Sequence, residues 1–328
     1  MNTGIRIENL HRSFGKLRAV DGLSFEIPAG QVCGFIGANG AGKTTTMRIL
    51  STLDIPDSGI AEIGGVNVTQ DPAKVRHRLG WMPDHFRVYP HMSVLEFMDF
   101  HARALGFSGK ERLMRLEEVM EFTDLLRIRD QPAAKLSKGQ TQRLCLGRAL
   151  IHDPDVLILD EPAAGLDPRA RVEFKNLVRI LASEGKTLLI SSHILSELGE
   201  MCQNLIFIHE GKLVHQGDAN TLKRRTRGSG GMQYHVECVP GSKSIAEWCS
   251  LQPDVDLVEE LQNGGRLRMD AETADEAADL LARLVRDQLR PVEFRQEEQN
   301  LEDAFITMMH ELEAGNQKSS PPPIPQQS

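Results

Sequence analysis

Eight consecutive residues, Gly37-Ala38-Asn39-Gly40-Ala41-Gly42-Lys43-Thr44, carry the spacing G-x-x-x-x-G-K-[ST]. The glycines allow the backbone to turn inward without Cβ clashes, so that successive N–H groups converge on one anion. A strand-like run, Gln31-Val32-Cys33-Gly34-Phe35-Ile36, precedes the loop, and a helix-like run from Thr44 towards Leu50 follows it. The unpaired N–H groups and positive dipole end of such a helix complete the cradle. This order of strand, loop and helix is the context that gives the spacing its meaning as a phosphate site. Lys43 is expected to neutralise β- and γ-phosphates and the Thr44 hydroxyl to ligate Mg²⁺, with Thr45 beside them. A nucleoside triphosphate is the expected ligand.

Hydrolysis needs acids as well as a cradle. Val156-Leu157-Ile158-Leu159 is an apolar run that ends in Asp160 and Glu161. There Asp160 is expected to hold Mg²⁺ through water, and Glu161 to orient or deprotonate the attacking water. A strand cap or a solvated turn is the other reading of such an acid pair. Shortly before it, Leu136-Ser137-Lys138-Gly139-Gln140 opens a helix that runs to Ile151, and Ser137 is by type an N-cap. His193 closes Ser191-Ser192-His193 behind another apolar run; taken alone it reads as an ordinary loop residue.

These groups must be carried by a scaffold. Leu23–Ile27, Val156–Leu159, Thr187–Ile190 and Leu205–Ile208 are short and nearly all apolar, as strands buried on both faces are. Helical stretches alternate with them. Ala170, Phe174, Leu177, Val178 and Leu181 form one apolar stripe, and Pro168 stands near its start, where a missing N–H costs least. The expected fold is α/β, a parallel-cored sheet covered by helices, with a helical subdomain at about 86–152. The first domain spans 1–225, and 226–231 reads as a flexible linker. Over 232–312 the pattern is β-α-β-β-α-β, an α+β accessory domain of ferredoxin-like order closed by a helix at Leu301–Leu312. In it Ala277, Leu280, Leu281, Leu284 and Val285 fall on one helix face. The tail, 313–328, rich in Pro, Gln and Ser, is expected to be disordered.

Composition narrows the function. The chain has 328 residues and a net charge of −8, which argues against a constitutive nucleic-acid partner. No apolar run approaches the ~20 residues that cross a bilayer, so the chain is not expected to form a pore by itself. No apolar leader opens the sequence, and the five cysteines form no C-x-x-C pair. That usage points to buried thiols in a reducing cytoplasm.

Taken in order, these motifs resemble the ATP-binding subunit of an ABC transporter, over about Ile5 to Asp218. Leu136–Gln140 matches the family signature, usually Leu-Ser-Gly-Gly-Gln, and Gly165-Leu166-Asp167-Pro168 matches the loop after the second acid. His193 matches the switch histidine that contacts the γ-phosphate, and Phe14 stands where an aromatic stacks on adenine; a core aromatic is the other reading of Phe14. The resemblance implies a P-loop NTPase with a RecA-like core, an antiparallel β-subdomain near the N-terminus and the helical insert. Leu301-Glu302-Asp303-Ala304-Phe305 resembles a segment of subunits that serve ABC-2 type exporters. Two positions depart from the pattern. Asp84 stands where glutamine is usual, bringing charge and no N–H, yet it can still accept from metal-bound water. Lys138 replaces the first signature glycine, and either faces opposing phosphates or faces solvent.

The resemblance further implies that Ser137, Gly139 and Gln140 of one copy close over ATP and Mg²⁺ held by another. A homodimer, or a heterodimer with a second ATP-binding subunit, is therefore expected. Export would run through a separate membrane permease, with this subunit cytoplasmic and peripheral on the inner face of the membrane. The resemblance implies a groove for a permease helix among Phe86, Val88, Tyr89, Met92, Val94, Leu95, Phe97 and Met98, most of which are expected to be plain core. Lys223, Arg224, Arg225 and Arg227 either touch lipid headgroups or form a solvated face. A soluble ABC ATPase acting on a nucleoprotein, or as a regulatory switch, is the alternative.

Overall fold

The computed structural model describes residues 3–192, 195–218, 221, 232–269, 274–297 and 305. It separates into two compact units, Met1–Asp218 and Ala219–Ser328. The 226–231 linker, the basic cluster from Lys223 to Arg227 and the 313–328 tail all lie outside the described residues, as does all of the Leu301–Leu312 helix except Phe305.

In the first unit, β3 (Val32–Ile36), β7 (Val156–Leu159) and β8 (Thr187–Ser191) are buried at every position. Strands this apolar need cover on both faces, and crossover helices provide it. They join β6 (Leu79–Met82), β9 (Asn204–His209) and β10 (Lys212–Gly217) in a sheet of order β10-β9-β3-β8-β7-β6. All neighbouring pairs in it are parallel except β9 with β10. Helices α1 (Lys43–Leu50), α2 (Pro72–Arg78), α6 (Pro168–Ser183) and α7 (Leu195–Met201) alternate with these strands.

Leu23–Ile27 departs from the expectation. It belongs to β2 (Leu17–Pro28), where burial alternates residue by residue. That strand pairs antiparallel with β1 (Thr3–Phe14) in a second sheet, β2-β1-β4-β5, with β4 (Ser58–Ile63) and β5 (Val66–Asn67). Ser24 and Glu26 face outward and leave one apolar face, which packs on the parallel sheet; Phe25 and Phe35 meet with ring centroids 5.7 Å apart. One continuous core therefore joins both sheets and α1.

Between β6 and β7 the chain is helical: α3 (Val94–Ala104), α4 (Gly109–Phe122) and α5 (Lys138–Leu150), with short 3₁₀ turns at Leu126–Ile128 and Ala133–Lys135. The apolar stretch at its entrance divides in two. Val94, Phe97 and Met98 are core, whereas Tyr89 is 51 % exposed beside Phe100, itself 45 % exposed.

In the second unit β11 (Met232–Cys238), β12 (Val255–Leu261), β13 (Gly264–Met269) and β14 (Pro291–Glu297) form an antiparallel sheet of order β12-β13-β11-β14. Helices Ile245–Ser250 and Ala274–Arg286 connect its strands in the split β-α-β manner. Leu280 and Leu284 are buried with Tyr234, Val236, Trp248 and Leu267, and Trp248 Nε1 donates to Asp287 Oδ2 at 2.7 Å. Val285 is off this face, 59 % exposed. At ~100° per residue it sits a turn's edge away from Leu284, too far round for the sheet to cover.

Candidate active site

The loop after β3 is shaped by what cannot fit around it. A Cβ on Gly37 would lie 2.5 Å from the Ile208 carbonyl oxygen, and one on Gly42 2.3 Å from that of Ala19. Gly42 also caps α1 with φ 103°, a region that L side chains avoid. Neighbouring strands therefore press the loop inward, and the Ala38, Asn39 and Gly40 tip stays exposed. Ala41 is tied from both sides: its N–H donates to the Ala38 carbonyl and its own carbonyl accepts from Gly211 N.

Lys43, only 8 % exposed, lies inside this ring and donates to the carbonyls of Gly37, at 2.5 Å, and Ala38, at 3.3 Å. Burial lowers its pKa, opposed by the charges of Glu161 and Asp160. Thr44 Oγ1 donates to Asp160 Oδ2 at 3.2 Å, which brings the loop and the first acid together across the sheet. Thr45 is half-buried next to it.

Asp160 stands at the end of β7 with 3 % exposure, its N–H bonded to the Met82 carbonyl of β6. Burial pushes its carboxyl above the usual range, hydrogen bonds from Ser191 and Thr44 pull it back, and the negative charges of Asp84 and Glu161 push it up again. Asp84 lies two residues beyond the end of β6, so adjacent parallel strands deliver both carboxylates at their C-terminal ends. An acid with a raised native pKa binds its proton more tightly folded than unfolded. Its ionised form thus costs stability above that pKa, and the cost is relieved as pH falls through it. Asp160→Asn is accordingly expected to raise the melting temperature of nucleotide-free protein. Calorimetry at neutral pH checks this; an unchanged or lower melting temperature contradicts it.

Ser191 was not among the residues singled out by spacing, yet it joins the two acids. Fully buried at the end of β8, it donates from Oγ to Asp160 Oδ1 at 2.7 Å and accepts from Glu161 N at 2.8 Å. Glu161 itself has φ 51°, so its backbone is held in a strained conformation while β8 anchors its N–H. A hydroxyl directly after the apolar run Leu188-Leu189-Ile190 is the signal that could have found Ser191. His193, two residues on, lies outside the described residues.

The other end of the set is built by helix caps. Ser137 and Gln140 form a capping box on α5: Ser137 Oγ accepts from Gln140 N, and Gln140 Oε1 accepts from Ser137 N at 2.9 Å. The Ser137 hydroxyl keeps its proton to donate outward. Gly139 packs against α6, where an added Cβ would stand 3.1 Å from that of Ala170. A cleft of about 450 Å³ opens beside Ser137, Gly139 and Gln140. Lys138 is exposed, but its ammonium is laid over Gly165, where a Cβ would come within 2.2 Å of Nζ. It rests on the loop that follows Glu161, an arrangement that neither reading of its spacing contained.

Phe14 is no core aromatic: it is 47 % exposed at the end of β1, with the Arg12 guanidinium 4.7 Å from its ring centroid. All five cysteines are free and buried, and burial raises each thiol's pKa. Among the described residues no helix is long and apolar enough to cross a membrane.

The family model described as ABC transporter matches residues 20–164. The chain is 34 % identical over 241 residues to the Nod factor export ATP-binding protein I of Ralstonia nicotianae, covering 74 % of this chain and 75 % of that one. It is 38 % identical over 228 residues to the bacitracin transport ATP-binding protein BcrA of Bacillus licheniformis, covering 69 % and 74 %. Among solved structures it is similar to cbiO1 from Clostridium perfringens, part of the ABC transporter complex cbiONQ. That likeness has a TM-score of 0.61 and 26 % identity, over 70 % of this chain and 96 % of the other.

Proposed function

The chain belongs to the ABC transporter family as an ATP-binding subunit, and we propose that it is the ATP-hydrolysing motor of an exporter, driving a separate membrane permease. The observation that carries the chemistry is the group Lys43, Thr44, Asp160, Ser191 and Glu161 at the C-terminal ends of the parallel strands, with Thr44, Asp160, Ser191 and Glu161 joined by hydrogen bonds. Relatives named for export and transport favour the motor over a soluble switch.

In this reading the backbone N–H groups of Asn39, Gly40, Ala41 and Gly42, with Gly37 shaping the turn, hold the phosphates, the Ala41 N–H giving up its bond to the Ala38 carbonyl to do so. Lys43 exchanges its carbonyl partners for phosphate oxygens, and Thr45 supports the α-phosphate end. Hydroxyl and carboxylate oxygens are the hard donors that Mg²⁺ takes, and Thr44, Asp160 and Asp84 offer such a set. The residues fit the ion, which when bound supplies neutralisation of phosphate charge. Glu161 accepts the proton of the attacking water, held in place by its backbone bond to Ser191. Phe14 stacks on the adenine face. Ser137, Gly139 and Gln140 come from a second copy, or from a second ATP-binding subunit, and donate to the γ-phosphate together with His193. No nucleic-acid partner is part of this reading.

The permease is proposed to seat a cytoplasmic helix against the aromatic cluster at the entrance of the helical insert. Phe86, Tyr89, Phe97 and Phe100 pack together there with ring centroids 5.6–6.2 Å apart, Phe86 on Phe97 and Tyr89 on Phe100 edge to face and Tyr89 tilted on Phe97. His101 packs against Phe97 and Phe100, its pKa lowered to about 4, chiefly by burial. A neutral imidazole adds no charge of its own to this patch at physiological pH, beside the Arg148 guanidinium that lies 5.0 Å from the Phe86 ring centroid. The subunit would then sit on the cytoplasmic face of the membrane. Detergent extraction from its own host should recover it with a multi-span membrane protein, and Tyr89→Asp should break that association while ATP binding persists. Recovery of the protein wholly free of membrane partners would overturn the exporter reading.

A further inference from the structure

Among the described residues, the helices of the second unit pack on one face of its sheet. Along β11, Tyr234, Val236 and Cys238 point to that core, so His235 and Glu237 stand on the opposite face. Across the antiparallel register, Glu237 lies directly opposite Glu293 of the edge strand β14. Like charges facing each other in this way oppose strand pairing unless a cation lies between them. One donor atom from each of His235, Glu237 and Glu293 lies within 4.8 Å of the other two. Some point is then within about 2.8 Å of all three, and small rotations of the exposed glutamates close that to the ~2.0–2.2 Å of zinc bonds.

A second observation is independent of the acids. His235 Nδ1 is shielded from water and has no hydrogen-bond partner among the described residues, and Glu297 Oε1 stands 3.8 Å away. Buried ring nitrogens are ordinarily satisfied, and an orphaned one calls for a missing ligand or ion. Two arginines border the group. Arg295 Nε is 3.4 Å from Glu293 Oε1, with both side chains largely in solvent, and Arg266 Nε is 3.2 Å from Glu297 Oε2. An exposed pair of that kind contributes little, so Arg295 is readily displaced.

We propose that His235, Glu237 and Glu293 bind a divalent transition cation of the zinc class, which clamps edge strand β14 to β11. Imidazole with carboxylates suits zinc, cobalt or nickel, whereas magnesium prefers an all-oxygen shell. Three protein donors leave a fourth position for water.

The test uses the untagged full-length chain without nucleotide. Zn²⁺ is titrated by calorimetry, and Co²⁺ absorption in the visible reports nitrogen and oxygen ligation. One ion per chain is expected, with affinity reduced ~10-fold or more in His235→Ala and in Glu293→Gln and retained in Asp160→Asn. Glu293 is exposed on an edge strand, so its replacement reads the site even where His235→Ala disturbs the sheet. Unaltered affinity and spectrum in Glu293→Gln, loss of the ion in Asp160→Asn, or no stoichiometric binding by the parent chain would each overturn the site.

Discussion

Lys43→Ala is expected to lower kcat/KM for ATP by ~10³-fold, the upper end of the cost of removing one transition-state donor from a preorganised site. Two effects combine. The ammonium is the cation built into the loop, and it is also the tie between the Gly37 and Ala38 carbonyls. Losing it removes charge opposite the phosphates and lets the exposed loop tip relax. The position encloses the head group, so Lys43→Arg should not restore activity: a planar fork does not reproduce a compact ammonium between two carbonyls. Fold loss is not the expected cause, because burial already disfavours this charge and its removal costs little. Steady-state phosphate release and nucleotide titration, each with a melting curve, check the outcome. Parental turnover in Lys43→Ala would end the nucleotide assignment.

What could be read without coordinates was the chemistry that lies close along the chain. The loop and the acid pair each consist of neighbouring residues whose backbone requirements are local: glycine at Gly42 with φ 103°, and an apolar strand before Asp160. The helix stripe of α6 was legible for the same reason. Ser191 was not, because its role follows from β7 and β8 being parallel neighbours, and strand adjacency leaves no mark on spacing. Leu23–Ile27 was read as a strand buried on both faces because a five-residue apolar run is ambiguous; Ser24 and Glu26 alternate within it and assign it to the antiparallel sheet. The position of Lys138 over Gly165 was equally hidden, since only the packing of α5 on α6 brings the two together. Charge at Asp84 was visible as a departure, but its consequence was not. That consequence is a second carboxylate beside Asp160, disfavouring ionisation of an acid that burial already penalises.

Glu161→Gln is expected to slow hydrolysis by ~10²–10⁴-fold, the scale of general-base removal, while leaving ATP binding intact. Glutamine keeps the length and shape of the side chain, and the backbone at φ 51°, anchored by Ser191, is as accessible to it as to glutamate. Only the ability to take a proton is lost. In the proposed composite site, uncleaved ATP would go on bridging the loop of one copy to the Ser137 hydroxyl of another, so the variant should accumulate as a dimer. Gel filtration should show that dimer with ATP and a monomer without it. Adding Ser137→Arg should return the variant to monomer, since a bulky cation at the α5 cap obstructs the approach of the opposing loop. A Glu161→Gln variant that binds ATP yet stays monomeric at all concentrations would mean that each copy closes its own site, and Ser137 would then be a helix cap and nothing more.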